Sequence, residues 1–261
     1  MENVLHREFW NGHIVEIRDR GEFRSLYFGK NHLQSRMSIT APHELVLSYT
    51  HFMALPLLLN RAPLKILLIG VGSGSLVRFY HHFFPACSIV AVDYSQHVLD
   101  LAKGYFQLPD SQSVKVICAD GYDYMQQLGA EEFDIILVDA FDGTGMAPAI
   151  YRESFFHMCE QSLKPAGVAS FNMWSSNKTR FAEIRLELTA AFAGCLFLPV
   201  PDRGNVVALT TKTPLPWKTF YSSKKELCLL ARRYNLDFNK MVKIAKQDNL
   251  TITEKVKRVF L

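Results

Sequence analysis

"KILLIGVGSGSL", residues 65–76, sets a run of apolar residues against a glycine loop. Ile66, Leu67, Leu68 and Ile69 follow one another without alternation, the pattern of a strand buried on both faces. Gly70, Gly72 and Gly74 then let the backbone approach a ligand closely. A helical pattern continues from there to about residue 83, so its N-terminus offers unpaired N–H groups at the loop. Strand, glycine loop and helix together open an α/β unit.

The same rhythm repeats along the chain. "SIVAVD" (88–93), "VKVICAD" (114–120), "FDIILVD" (133–139) and "GVASFNMW" (167–174) read as strands. Helical stretches separate them: "SQHVLDLAKGYF" with Ser95 as N-cap, then 151–163 and 178–193. "CLFLPV" and "NVVALTT" lie close enough in sequence to pair antiparallel. The alternation predicts an α/β fold: a mainly parallel seven-stranded sheet with helices on both faces, Rossmann-like, over residues 44–213. Residues 44–58 are expected to be helical. Before them, 1–43 hold a β-hairpin in which "HIVEIRD" and "FRSLYFG" flank Arg20-Gly21. After the sheet, 214–261 form a basic helical extension, with apolar stripes at 227–234 and 238–245 and a weaker one at 252–260.

The bulk numbers bound the function. In 261 residues, 49% are hydrophobic and 21% charged, an ordinary globular composition. Net charge is +1 over 1–62, −4 over 63–213 and +7 over 214–261. The five cysteines, odd in number and without a Cys-x-x-Cys pair, indicate neither a disulfide framework nor a zinc site, which suits a reducing compartment. The chain begins "MENVLHREFW" without an early apolar stretch, and "FMALPLLL" (52–59) is too short to cross a bilayer. A cytoplasmic protein without a membrane partner is expected. The lysine-rich tail holds no recognisable nucleic-acid module, so no nucleic-acid partner is expected. His81-His82 lack the further ligands a metal would need, and Trp174 after the fifth strand could pack over a ligand but reads first as core.

Chemistry concentrates at the strand ends. Asp93 ends the second strand, where a carboxylate can take both ribose hydroxyls. Asp120 ends the third and precedes Gly121, placed to accept from an adenine amino group. Asp139 ends the fourth, and Asp142 follows in a loop loosened by Gly143 and Gly145. Taken singly, each acid is a helix cap or turn former. Together with the glycine loop they line one rim of the sheet, where open α/β sheets hold their ligands. The arrangement resembles the nucleoside pocket of the S-adenosylmethionine-using fold.

"VDAFDGTGMAPAIYRESFF" (138–156) resembles the loop of the polyamine aminopropyltransferase (spermidine synthase) family, Asp-x-x-Asp-Pro-x-Gly-Pro-Ala followed by Leu-Phe-Lys-Glu-Ser-Phe/Tyr-Phe. Asp139 and Asp142 fall on its two acids without a gap. "SLYFGKNHLQSRM" resembles the family's N-terminal β-segment, with Gln34 at or near its ligand-contacting glutamine. The resemblance covers roughly 20–212. It implies a small N-terminal β-domain, a homodimer, and nucleoside contacts at Gly70, Gly72, Ser73, Gly74, Asp93, Asp120 and Gly121. The implied reaction moves an aminopropyl group from decarboxylated S-adenosylmethionine, or takes S-adenosylmethionine itself as donor, without a metal. The acceptor is a small amine such as putrescine, deprotonated by Asp139 and bound by Asp142 and Gln34.

The departures leave two other readings open. Ser73 stands where the family's Gly-Gly-Gly-Asp-Gly-Gly has its acid, which favours an S-adenosylmethionine-dependent methyltransferase. Counting back from the glycine loop, Ala54 falls on a donor-contacting histidine, and Ser48 and Thr50 fall on the Tyr and Glu of the amine site. Tyr49 and His51 reach those places only by a shift of register. A thinned amine site also fits a non-catalytic nucleoside-binding protein.

Overall fold

The computed structural model describes residues 2–29, 32–142, 145–201, 203–215 and 224–249, with the side chain of Asp142 outside that description. Four strands come first: β1 (Glu2–Trp10), β2 (His13–Arg20), β3 (Phe23–Phe28) and β4 (His32–Ser38). They form an antiparallel sheet in chain order. The hairpin expected about Gly21 is its centre, β2 against β3. The sequence reading missed β1, which has no clean apolar alternation, while β4 falls largely within the segment 25–37 likened to the family's β-segment. Val15, Ile17, Leu26 and Met37 of this sheet bury against Leu101 and Phe106 of the following domain.

The expected helix over 44–58 is shorter. Helix α1 covers Ser48–Met53, and a 3-10 turn follows at Leu55–Leu58 with Pro56 in its first turn. Proline lacks the N–H that a continuing α-helix needs, so the chain tightens there instead.

Next come β5 (Lys65–Ile69), α2 (Ser75–Phe83), β6 (Ser88–Asp93), α3 (Gln96–Tyr105), β7 (Val114–Cys118), α4 (Gly121–Gln126) and β8 (Phe133–Val138). The third strand thus ends two residues before Asp120, which caps a helix that the sequence reading did not see. A two-residue ladder, β9 (Phe141–Asp142) on β10 (Gly145–Met146), leads into α5 (Glu153–Ser162) and β11 (Leu163–Trp174). Then α6 (Lys178–Ala191) precedes β12 (Gly194–Pro199) and β13 (Asn205–Thr211), which pair antiparallel as expected.

The seven-stranded sheet has the order β12-β13-β11-β8-β5-β6-β7. From β5 the chain steps outward to β6 and β7, then returns to lay β8 on the other side of β5. That reversal opens a crevice beyond the carboxyl ends of β5 and β8. Alternate residues of β5 serve opposite faces. Ile66 and Leu68 join a core with α2 and α3, while Leu67 and Ile69 join one with α4, α5 and α6. This double burial is why the strand carries no polar position after Lys65, its first residue.

Two tail helices, α7 (Lys224–Tyr234) and α8 (Phe238–Asn249), complete the first of those cores. Leu227, Leu230, Tyr234, Phe238, Met241 and Val242 are buried. The surface their stripes cover is the chain's own, with Tyr234 edge-on to Phe83. The Asn249 side chain bonds both the N–H and the C=O of Phe197 in β12. The stripe at 252–260 lies outside the described residues.

Candidate active site

The crevice is a cavity of about 490 Å³ whose wall runs from β4 and the glycine loop to the ends of β11 and β13. It has two halves, and the first is built by backbone. Gly70 sits at φ +89, and a Cβ there would lie 2.2 Å from the Asp139 carbonyl oxygen, so only glycine lets β5 and β8 end side by side. The Asp93 carboxylate accepts from the N–H groups of Val71 at 2.8 Å, Gly72 at 3.3 Å and Ser95 at 3.0 Å. It therefore ties the end of β6 to the glycine loop. Burial raises its pKa, and those N–H donors pull the other way.

Asp120 does act as a cap: its Oδ1 accepts from Tyr122 and Asp123 N–H. The capping role and a place on the cavity wall coexist, since Asp120, Gly121, Asp93, Gly70, Gly72 and Gln34 all line the cavity. Gly121 is required by packing, because a Cβ there would sit 2.5 Å from an Ile69 methyl. Ser73 and Gly74 are not among the lining residues, whereas Ser75 is. The Ser73 side chain is 1% exposed, its N–H turned to the Ser35 hydroxyl.

The second half is built by side chains. Asp139 is half-buried, and its Oδ1 accepts from Asn172 Nδ2 at 2.7 Å. Its Oδ2 accepts from the Tyr49 hydroxyl at 3.1 Å. Asn172 Oδ1 in turn accepts from Asn205 at 2.9 Å, and its carbonyl accepts from the Tyr151 hydroxyl. Burial pushes the Asp139 carboxyl up to about 6, against the pull of Asn172 and Tyr49 and with a small push from the Asp93 charge. Burial, with the Asp139 charge beside it, holds Tyr49 well above the ordinary phenol range, so it stays a donor.

Tyr49, Asn172, Asn205 and Arg203 were missed by sequence reading. For Tyr49 a signal was present: the count back from the glycine loop put Ser48 at the family's tyrosine, and in the structure its neighbour Tyr49 donates to Asp139. Asn172 and Asn205 lie on strands where nothing local sets them apart. Trp174, expected to be core, is 46% exposed on the cavity wall with its ring 5.3 Å from Phe141. For Asp142 only the backbone pairing with Gly145 is described.

A glycine loop at the switch point of this strand order defines the class, a Rossmann-like fold of the S-adenosylmethionine-dependent transferase type. The sequence model of the spermine/spermidine synthase domain matches residues 47–193. The polyamine aminopropyltransferase of Chromobacterium violaceum is 36% identical over 237 residues, 90% of each chain. The eEF1A lysine and N-terminal methyltransferase of Bos taurus is 37% identical over 128 residues, 45% of this chain but 18% of its own length. A solved spermidine synthase in complex with the transition-state analogue AdoDATO superposes with a TM-score of 0.72 at 17% identity, covering 99% of this chain and 89% of the other. The chain belongs to the spermine/spermidine synthase family, a family of transferases.

Proposed function

We propose that the protein transfers an aminopropyl group from decarboxylated S-adenosylmethionine to a small amine. The observation that carries this reading is the Tyr49–Asp139–Asn172 cluster in the same cavity as the glycine loop and Asp93. The near-full-length match to polyamine aminopropyltransferases supports it over methyl transfer, whose matched relative aligns with under half of this chain.

In the proposed step the amine lone pair attacks the propyl carbon bonded to sulfur. The C–N bond forms as the C–S bond breaks, and the electron pair leaves on sulfur as neutral methylthioadenosine. The nitrogen becomes cationic and sheds a proton to Asp139. A carboxyl with a pKa of about 6 is a better acceptor than an ordinary aspartate and remains ionised at neutral pH. The sulfonium is already activated, so positioning supplies most of the rest, up to ~7–11 kcal/mol for a well-aligned pair. Tyr49 and Asn172 hold the carboxylate in place. Asp93, Asp120, Gly121, Gly70 and Gly72 take the donor, and Asp142 and Gln34 help bind the amine.

We assign the enzyme to a reducing cytoplasm, which its five free cysteines suit. No helix among the described residues is long and apolar enough to cross a membrane. We assign it a homodimeric state, for which Phe9 and Ile14, paired across β1 and β2 and both exposed, supply an apolar patch. Incubation with each donor and a set of amines, read by mass spectrometry, tests the reaction. Methylthioadenosine with an aminopropylated amine is expected. S-adenosylhomocysteine with a methylated product would replace this reading by methyl transfer.

A further inference from the structure

We propose that Arg78 is a positioning residue for the donor: its guanidinium holds the carbonyl side of the glycine loop, as Asp93 holds the N–H side. The inference rests on the donor reading of the cavity and adds a residue that stands behind its wall.

Arg78 lies in the first turn of α2 and is buried, 4% exposed. Its Nε donates to the Pro42 carbonyl at 2.8 Å. Its Nη1 donates to the Phe106 carbonyl at 2.6 Å and to the Ser73 carbonyl, and Nη2 donates to the Ser75 hydroxyl at 3.3 Å. Burial pulls its pKa down to about 9, which leaves it charged at neutral pH. One cation thus ties the approach to α1, the glycine loop and the end of α3.

The loop needs such a tie. Gly70, Gly72 and Gly74 all sit at positive φ, a stretch of backbone with no side chain of its own to restrict it. Asp93 fixes the N–H groups of Val71 and Gly72, and the Ser35 hydroxyl takes that of Ser73. The Ser73 carbonyl is held by Arg78. A Cβ on Gly74 would lie 2.5 Å from a Leu108 methyl and 3.4 Å from Arg78 Nη1, so this glycine makes room for the tie. Ser75 lines the cavity, so Arg78 also orients a hydroxyl on the donor wall. Lysine in its place would keep the charge, but one ammonium cannot span the oxygens that the planar fork reaches.

Calorimetric titration with methylthioadenosine, run well below the melting temperature, compares the wild-type chain with Arg78→Lys and Arg78→Met. Steady-state kinetics with decarboxylated S-adenosylmethionine and putrescine accompany it. Arg78→Lys is expected to weaken methylthioadenosine by roughly tenfold and to raise the donor KM in step. The acceptor KM, and kcat at saturating donor, should stay within about twofold of wild type. Arg78→Met should go further in the same direction, and Arg78→Lys decides if Arg78→Met does not fold. A lowered melting temperature with methylthioadenosine affinity held within about twofold would make Arg78 a brace of the fold alone and overturn the proposal. A rise in the acceptor KM alone would overturn it too. Methylthioadenosine that fails to bind the wild-type chain overturns the donor reading, and this assignment with it. Affinity lost in Arg78→Lys, in a chain that transfers to no amine, keeps the assignment and overturns aminopropyl transfer.

Discussion

The two halves of the cavity are built in opposite ways. The donor half takes its residues from consecutive strand ends, at 70–75, 93–95 and 120–121. Backbone N–H groups of the glycine loop hold its central acid. The acceptor half gathers Tyr49, Asp139, Asn172, Arg203 and Asn205 from separate elements, and joins most of them side chain to side chain. One half is rigid because the fold requires those bonds. The other can be altered without disturbing the strands that carry it. Substitutions on the two sides should therefore fail differently.

The largest effect is expected at Asp139. Asp139→Asn keeps the shape and removes the charge and the proton acceptor, and steady-state turnover should fall by about 10²–10⁴-fold. Near-normal turnover would return Asp139 to a turn former.

Asp93→Ala should break the donor half in a way that is also structural. It removes the partner of three N–H groups, two of them buried, each at a cost of about 1–3 kcal/mol when left unpaired. Methylthioadenosine affinity and melting temperature should drop together. Lost affinity at an unchanged melting temperature would mean that Asp93 serves the ligand alone.

Tyr49→Phe should lower turnover by roughly tenfold, since it deletes one hydrogen bond to a charged group. It also sharpens the pH dependence. In the wild type, kcat/KM should fall as pH drops through about 6, because the Asp139 carboxyl protonates there and can no longer accept a proton. The Tyr49 bond favours the charged form, so losing it should move that acid limb upward. A limb that stays in place would detach Tyr49 from the base.

The smallest effect belongs to Ser73. Its side chain is buried away from the cavity wall, so Ser73→Ala should change nucleoside affinity by less than about twofold. A larger loss would put it back among the donor contacts.

The same contrast explains what the sequence made legible. The parallel sheet and its glycine loop were readable because β5, β6 and β8 are apolar on both faces and end in punctuated loops. The donor acids were readable because each sits beside its own strand in chain order. Asn172 was not, because it matters only through register. Phe171 pairs with Val138, which sets Asn172 beside Asp139 across 33 residues of sequence. Tyr49 was not, because its bond to Asp139 spans 90 residues of sequence. Helix α4 is only six residues long, too short for a periodic signal, and its cap was read instead as the end of a strand.

Calorimetric titration of Asp139→Asn with methylthioadenosine tests the division of the cavity most directly. If the donor half stands on its own backbone bonds, the affinity stays within about twofold of wild type while turnover is nearly abolished. Binding that weakens in step with turnover would show one undivided pocket and contradict the account.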